Sequence, residues 1–241
     1  MPLRPVQVNV KAREAAALGR FWADALGWRA HPGETVYVAP PGPFVWPDPD
    51  GGIGIDVVGV PDVKGAAKNG VHLDLASASA TGQTALVARL RALGATPVDV
   101  GQGDVPWAVL ADPEGNEFCV LEPRDVYRDT GPIAAIVVDC ADPRAMARFW
   151  GAAIDWPVHE VNDDFASLRS PVAVGPYLEF LRVPHDRAPS RLHLDLLPYP
   201  GSEGEVDRLR ALGATPVDVG QGEVPWTVLA DPEGHEFCVL A

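Results

Sequence analysis

The chain has 241 residues, a length that accommodates one large or two small globular domains. With 47% hydrophobic and 22% charged residues and a formal net charge of −14, the composition excludes wholesale disorder and makes nucleic acids and anionic membranes poor partners. No apolar run approaches the roughly 20 residues that span a bilayer; we expect no secretory signal, and three cysteines, an odd and low count, favour reduced thiols and the cytoplasm.

The first half of the chain begins with a short alternating strand, which is followed by an amphipathic helix that ends at Gly27. The helix carries an apolar stripe at a spacing of three and four residues: Leu18, Phe21, Trp22, Ala25 and Leu26. The Pro- and Gly-rich stretch Pro40–Gly54 predicts a long loop. A strand near His72–Leu75, a second helix and two closing strands, Trp107–Ala111 and Glu117–Leu121, complete this half.

The second half repeats this order of elements. The β-branched run Ile133–Val138 predicts a buried strand, and Asp142 followed by Pro143 is typical of a helix start. The next helix has the matching apolar stripe: Met146, Phe149, Trp150, Ala153 and Ile154. A second helix over Glu203–Leu212, with a capping box at Ser202, follows further strands. Those strands and the closing pair are predicted near Pro157–Glu160, Phe165–Leu168, Tyr177–Val183, Leu192–Leu196, Trp226–Ala230 and Glu236–Leu240.

The two halves are copies of one unit. Residues 89–121 and 208–240 differ at only three of 33 positions: Asp104/Glu223, Ala108/Thr227 and Asn116/His235. Upstream motifs match at larger offsets, so copy one carries extra residues in its middle, which we assign to the predicted loop. We therefore predict one domain over residues 1–122, a polar linker over 123–131 and a second domain over 132–241.

The closing strands and the His-containing strands alternate between apolar and polar residues. Leu73 and Leu75 share one face of their strand, and His72 and Asp74 take the other. In the same way, Phe118 and Val120 lie opposite Glu117 and Cys119. Because the apolar faces must pack against the helices, we predict that these polar positions, and their copy-two counterparts, line a concave cavity.

These motifs resemble those of the vicinal oxygen chelate superfamily, and in particular its glyoxalase-like and bleomycin-resistance-like domains. The residues that carry the resemblance are Phe149-Trp150 after Asp142-Pro143, His193-Leu-Asp-Leu and the segment from Asp231 to Leu240, with their copy-one partners. The resemblance implies an α+β fold with two tandem glyoxalase-like domains. Each would contain two β-α-β-β-β modules whose curved mixed sheets form a cup.

In metal-dependent members of this superfamily, side chains from the first and last strands of two paired modules hold a divalent cation. When the ligand positions of these members are transferred to this sequence, they fall on Gln7, Asp56, Glu179, His72 and His193. Copy two has Ala135, which cannot be a ligand, in place of Gln7, and Cys119 and Cys238 occupy the position of the usual final glutamate. This donor set favours zinc over magnesium or manganese if a cation binds, and it equally permits a site without metal.

The sequence alone leaves the roles of several other side chains open. Glu117 and Glu236 are candidate catalytic bases, with a solvent-exposed charge as the alternative. Trp107, Trp226, Cys119 and Cys238 are candidate substrate contacts, with simple packing as the alternative. The modules pair either within one copy or across the two copies, and in both arrangements a single cup contains Gln7, so we expect unequal cups.

Two functions are compatible with the sequence. The first is a metal-assisted glyoxalase-like lyase or isomerase that acts on a small oxygenated metabolite. The second is a metal-free protein that sequesters a small molecule, as a drug-resistance protein does. In both cases the partner is a small-molecule ligand, and we expect a monomer or a weak dimer because two fused copies imitate a homodimer.

Overall fold

A computed structural model describes residues 3–183 and 190–241. Copy one contains two β-α-β-β-β modules. Module 1 comprises β1 (Leu3–Ala12), α1 (Ala15–Leu26), β2 (Arg29–Pro32), β3 (Val36–Ala39) and β4 (Gly54–Gly59). Module 2 comprises β5 (Val71–Leu75), α2 (Ala80–Ala92), β6 (Thr96–Pro97), β7 (Ala108–Ala111) and β8 (Glu117–Val120).

Copy two repeats this organisation after a single 3-10 turn at Asp125–Tyr127. Module 3 comprises β9 (Ile133–Cys140), α3 (Pro143–Ile154), β10 (Val158–Val161), β11 (Phe165–Leu168) and β12 (Tyr177–Arg182). Module 4 comprises β13 (Leu192–Pro198), α4 (Glu205–Leu212), β14 (Thr215–Pro216), β15 (Trp226–Ala230) and β16 (Glu236–Leu240). The predicted α+β fold of tandem glyoxalase-like domains is therefore confirmed.

The modules pair across the two copies. Sheet A joins modules 4 and 1 in the order β14-β15-β16-β13-β1-β4-β3-β2, and sheet B joins modules 3 and 2 in the order β10-β11-β12-β9-β5-β8-β7-β6. At the centre of sheet A, β1 runs antiparallel to β13, and at the centre of sheet B, β5 runs antiparallel to β9. This resolves the alternative that the sequence left open, since neither eight-stranded sheet is formed by one copy alone.

The hydrophobic core is built from the helices and the strand faces that the alternation assigned to them. Trp22 of α1 packs edge-on against Phe118 of β8, with ring centroids 5.2 Å apart. Trp150 of α3 packs in the same way against Phe237 of β16, at 5.1 Å. In each copy a helix of one sheet thus packs against a strand of the other sheet. The central strands of each sheet therefore pair across the two copies, whereas these aromatic contacts join residues of the same copy.

Most local predictions agree with the structure, and two details differ. Asp142 caps α3 by accepting a hydrogen bond from the backbone N–H of Ala145 at 3.0 Å, as expected. In contrast, α4 begins only at Glu205, after Gly204 in a left-handed conformation, so the predicted capping box at Ser202 does not form. The carboxylate of Glu205 pairs instead with Arg208, 2.7 Å away. In the described part of the chain, no helix is long and apolar enough to cross a membrane.

Candidate functional site

Each sheet carries a group of polar side chains on the face that the core leaves free. We call the group on sheet A cup A: Gln7, Asp56, His193, Asp195 and Cys238. The corresponding positions on sheet B form cup B: Ala135, Glu179, His72, Asp74 and Cys119. The two groups correspond through strand register, because Gln7 lies opposite Asp195 as Ala135 lies opposite Asp74.

In cup A the amide of Gln7 links two buried carboxylates. Its nitrogen Nε2 donates to Asp195 Oδ2 at 2.8 Å and to Asp56 Oδ2 at 3.3 Å. The other oxygen of Asp56 accepts a hydrogen bond from the Thr35 hydroxyl at 2.5 Å. Burial raises the pKa of Asp56, the Thr35 bond opposes this rise, and the negative charge of Asp195 adds to it. Cup A therefore holds two carboxyl groups close together with one amide group between them.

The remaining cup A side chains extend this network. His193 Nε2 lies 3.2 Å from Asp195 Oδ1 and 3.4 Å from Cys238 Sγ. One ligand atom from each of these three residues lies within 4.8 Å of the others, which is close enough to contact one metal ion. Burial and the neighbouring Asp195 raise the pKa of the Cys238 thiol well above its ordinary value. All of the cup A positions that the resemblance assigned as ligands are thus brought together.

Trp46 covers cup A from the long loop between β3 and β4. Its indole nitrogen Nε1 donates a hydrogen bond to Gln7 Oε1 at 2.9 Å. Near the same end of the loop, the Phe44 ring stacks on His31 with centroids 4.3 Å apart. The predicted long loop is present, but nothing in the sequence apart from its Pro- and Gly-rich composition indicated that it covers Gln7.

Cup B has the same histidine, aspartate and cysteine but a different opposite wall. His72 Nε2 lies 3.5 Å from Asp74 Oδ1, and these two residues with Cys119 also place one ligand atom each within 4.8 Å. Burial lowers the pKa of His72 to about 3. Burial also raises the pKa of Asp74 to about 6, against an opposing hydrogen bond from Cys119. The imidazole of His72 is accordingly neutral at physiological pH.

The opposite wall of cup B is occupied by a side chain of the segment between the copies. The phenol hydroxyl of Tyr127 donates to Glu179 Oε1 at 2.8 Å, and Tyr127 is only 7% exposed. Burial raises the pKa of Glu179 to about 8. Tyr127 also packs in an apolar cluster with Ala135 and Val137. The segment that was predicted as a plain polar linker therefore fills the part of cup B where cup A has Gln7.

A cavity of about 790 Å³ lies beside cup B and is lined by two of its side chains, His72 and Cys119. Its walls combine apolar and charged side chains, including His72, Trp107, Val109, Glu117, Cys119 and Asp139. The cavity extends to the β15–β16 turn of copy two, where His235 and Glu236 line it. His72 Nδ1, Asp139 Oδ1 and His235 Nε2 are buried without a hydrogen-bond partner among the described residues. A bound molecule could satisfy these three atoms.

The two glutamates that were predicted as catalytic bases have different surroundings. Glu117 is paired with Lys64 at 2.8 Å and accepts a hydrogen bond from the backbone N–H of Asn69 at 3.2 Å, so its charge is buried and compensated. Glu236 lies 3.4 Å from Lys11, and both side chains are 32% exposed. Of the two, Glu236 is the more accessible to a substrate.

The two candidate tryptophans are also inequivalent. Trp107 lines the cavity beside cup B, and the guanidinium of Arg124 lies 5.7 Å from the centre of its ring. Trp226 is 39% exposed and lies in a separate groove of about 440 Å³ beside α4. No sequence signal indicated a ligand role for Asp74 or Asp195, although the alternation places Asp74 on the same face as His72.

The two eight-stranded mixed sheets, each built from two β-α-β-β-β modules, have the architecture of the vicinal oxygen chelate superfamily. The Glyoxalase-like domain family model matches residues 7–121 and 135–240, and the chain belongs to this family. Glyoxalase I from Zea mays has a similar structure, with a TM-score of 0.67 and 15% identity over 99% of this chain and 92% of that chain. A putative dioxygenase from Bacillus subtilis has a TM-score of 0.61 and 14% identity over 99% and 85% of the two chains. No curated protein sequence matches the chain.

Proposed function

We propose that cup A is a divalent-cation centre at which a small oxygenated molecule binds, and that the protein is a metal-assisted lyase or isomerase. The observation that carries this proposal is the direct link between Gln7, Asp56 and Asp195, with His193 and Cys238 beside them. Side chains of β1, β4, β13 and β16 thus converge on one small region, and all of them are buried.

The chemistry of the donor set fits a cation. Imidazole, thiolate and carboxylate are the ligands that zinc prefers in proteins. Asp195 Oδ1 is buried and lies 3.2 Å from His193 Nε2 without forming a hydrogen bond to any described residue. Two buried carboxyl groups lie on either side of one amide group, and a cation between them would compensate their negative charge. Cup B suits a cation less well, because Ala135 has no ligand atom and the Tyr127 hydroxyl is hydrogen-bonded to the Glu179 carboxyl group.

The residues around cup A suggest how a reaction would be assisted. A bound cation would act as a Lewis acid on the oxygen atoms of the ligand. Glu236 precedes Cys238 by two positions on the same face of β16 and is partly exposed, so it can take up a proton and return it. The ammonium group of Lys11 lies 3.4 Å from the Glu236 carboxylate and helps to hold it in place.

The metal content of the purified protein tests this proposal, because the two cups provide matched variants. We expect about one zinc ion per chain in the wild type and in His72→Ala, and none in His193→Ala. Circular dichroism should show that both variants remain folded, since each histidine lies on the face away from the core. Equal zinc loss in both variants, or a wild-type protein that binds no divalent cation after incubation with zinc, would refute a cation centre in cup A.

A second function is favoured by the cavity beside cup B. We propose that it binds a small molecule without metal, with the ligand in contact with Trp107 and hydrogen-bonded to His72. The cavity volume of about 790 Å³ is within the range of small-molecule sites. A thermal-shift screen of oxygenated metabolites tests this, because a ligand stabilises the folded state that it binds. A hit that stabilises the wild type but not Trp107→Ala would support the site, and a hit unaffected by this change would place binding elsewhere.

A further inference from the structure

We infer that the amide of Gln7 stands in for the cation when cup A is empty, and that cation entry releases Trp46, so that metal binding opens the cover of the cup. The inference rests on the proposed cation centre. It concerns Gln7 and Trp46, which lie in different elements and are joined by a single hydrogen bond of 2.9 Å.

The surroundings of Gln7 fix the orientation of its amide. On one side lie two acceptors, the carboxylates of Asp56 and Asp195, and on the other lies one donor, the indole N–H of Trp46. A carboxylate only accepts and an indole only donates hydrogen bonds. The amide nitrogen must therefore point to the carboxylates and the amide oxygen to Trp46. In this orientation the partially positive NH2 group occupies the place between the carboxylates where a cation would lie.

A cation at that place is incompatible with this orientation. It would contact the carboxylate oxygens that now accept the amide protons, and it would face the positive end of the amide dipole. A half-turn of the amide turns Oε1, the ligating atom, toward the cation. The same half-turn brings the NH2 group to face the indole N–H, so that two donors oppose each other and the bond to Trp46 is lost. Cation binding and the Gln7–Trp46 bond thus exclude one another.

The loop around Trp46 is suited to move when this bond breaks. Phe44, Val45 and Trp46 are three successive apolar residues with exposed fractions of 46%, 56% and 41%. An exposed apolar segment beside a polar cup can close over a ligand or lift from the cup at little packing cost. The stacking of Phe44 on His31 anchors the loop next to the cup, which keeps such a movement local.

A comparison of modules 1 and 3 supports a link between Gln7 and the loop that carries Trp46. Module 3 has Ala135 where module 1 has Gln7, and its β11–β12 connection spans residues 169–176, against residues 40–53 for the β3–β4 loop. The amide and the long loop are therefore present together in module 1, and module 3 has neither. A functional link between the two features predicts this joint occurrence.

Zinc titration of the wild type and of Trp46→Phe tests the inference. Because the indole bond opposes cation entry, its removal should tighten zinc binding by roughly two- to tenfold, the net effect of one hydrogen bond. Trp46→Phe should fold normally, since the indole is 41% exposed. If Trp46 instead orients Gln7 for ligation, the variant will bind zinc more weakly. Weaker or unchanged affinity overturns the inference while leaving the cation centre in place.

The indole N–H signals of the seven tryptophans in a proton–nitrogen correlation spectrum give an independent readout. Zinc should move the Trp46 signal, assigned by its absence in Trp46→Phe, to the position of a solvent-exposed indole. Gln7→Met, which removes the amide at similar size, should give that position without zinc. The Trp226 signal, assigned with Trp226→Phe, is the control and should not move. An unmoved Trp46 signal in a protein that has bound zinc overturns the inference, and a wild type that binds no zinc refutes both it and the cation centre.

Discussion

The hydroxyl group of Tyr127, in the segment between the copies, donates a hydrogen bond to Glu179 Oε1 on β12 at 2.8 Å. This bond closes one wall of cup B. Burial of this carboxyl group disfavours its charged form more strongly than the hydrogen bond from Tyr127 favours it, so the pKa of Glu179 is raised. The linking segment is thus part of the site as well as the connection between the two copies.

The first prediction concerns pH. Glu179 has a pKa of about 8 in the folded protein against 4.5 for an ordinary glutamate. Between these values the unfolded chain has released a proton that the folded chain retains, so the free energy of unfolding falls as pH rises through this window. Glu179→Gln stays neutral throughout and should flatten the fall. The measurement is urea unfolding of both proteins at several pH values.

The comparison of the two proteins isolates the contribution of Glu179. Asp74 contributes a fall of the same sign, but its pKa of about 6 confines its effect to lower pH. Because Asp74 is present in both proteins, its contribution cancels in the difference between wild type and Glu179→Gln, which should change between about pH 4.5 and pH 8. Parallel stability curves for the two proteins over this range would show that Glu179 ionises normally.

Much of this architecture could be predicted from the sequence, because it depends on local patterns. The apolar stripes of α1 and α3, the cap at Asp142 and the alternation around His72 each reflect interactions within a few residues, and all are present in the structure. The similarity of the two copies also predicted their common module plan. The inequality of the cups followed from Gln7 and Ala135 alone.

Other features depend on contacts that no local pattern encodes. Tyr127 and Glu179 are 52 positions apart, and Trp46 and Gln7 are 39 positions apart, so neither bond leaves a periodic signal. The two-residue strands Thr96–Pro97 and Thr215–Pro216 are too short to show alternation. Modules can pair within one copy or across the two copies through equivalent strand edges. Because the two repeats are nearly identical, their sequences do not show which pairing forms.

A second prediction compares the two equivalent glutamates. Glu117→Gln leaves the ammonium group of Lys64 buried without its counter-charge, since the two side chains are only 8% and 7% exposed. Breaking a buried pair in this way should lower the free energy of unfolding by about 3–5 kcal/mol. Glu236→Gln removes a partly exposed pair and should cost no more than about 1 kcal/mol. Urea unfolding of the two variants measures both effects, and equal losses would contradict the assigned structural role of Glu117.

A third prediction concerns the three cysteines, all of which are free and buried. Burial raises the pKa of each thiol: that of Cys140 reaches about 12, and those of Cys119 and Cys238 rise further beside Asp74 and Asp195. Because the thiolate is the reactive form, the native protein should react with a disulfide reagent at pH 8 far more slowly than the protein unfolded in guanidinium. One thiol that reacts at once in the native protein would contradict this environment.

The last prediction follows from the pairing of modules across the copies. We expect residues 1–131 and 132–241, produced together as separate chains with a tag on one, to purify as a one-to-one complex. The two central ladders would hold it together: β1 pairs with β13 through seven residue pairs, beginning at Leu3 and Pro198, and β5 pairs with β9 through five. Light scattering measures the stoichiometry, and circular dichroism compares the complex with the intact chain.

Each half alone should form no folded monomer, because it exposes the edges of two central strands and half of each sheet. In the first half these are the edges of β1 and β5, whose side chains are almost entirely buried in the intact chain. The intact chain is the control; its linkage replaces association in solution by an intramolecular step, so it should fold at concentrations where the separate halves dissociate. A folded, monomeric 1–131 fragment would mean that the modules of one copy can pair with each other, and that the cross-copy sheets are one of two accessible arrangements.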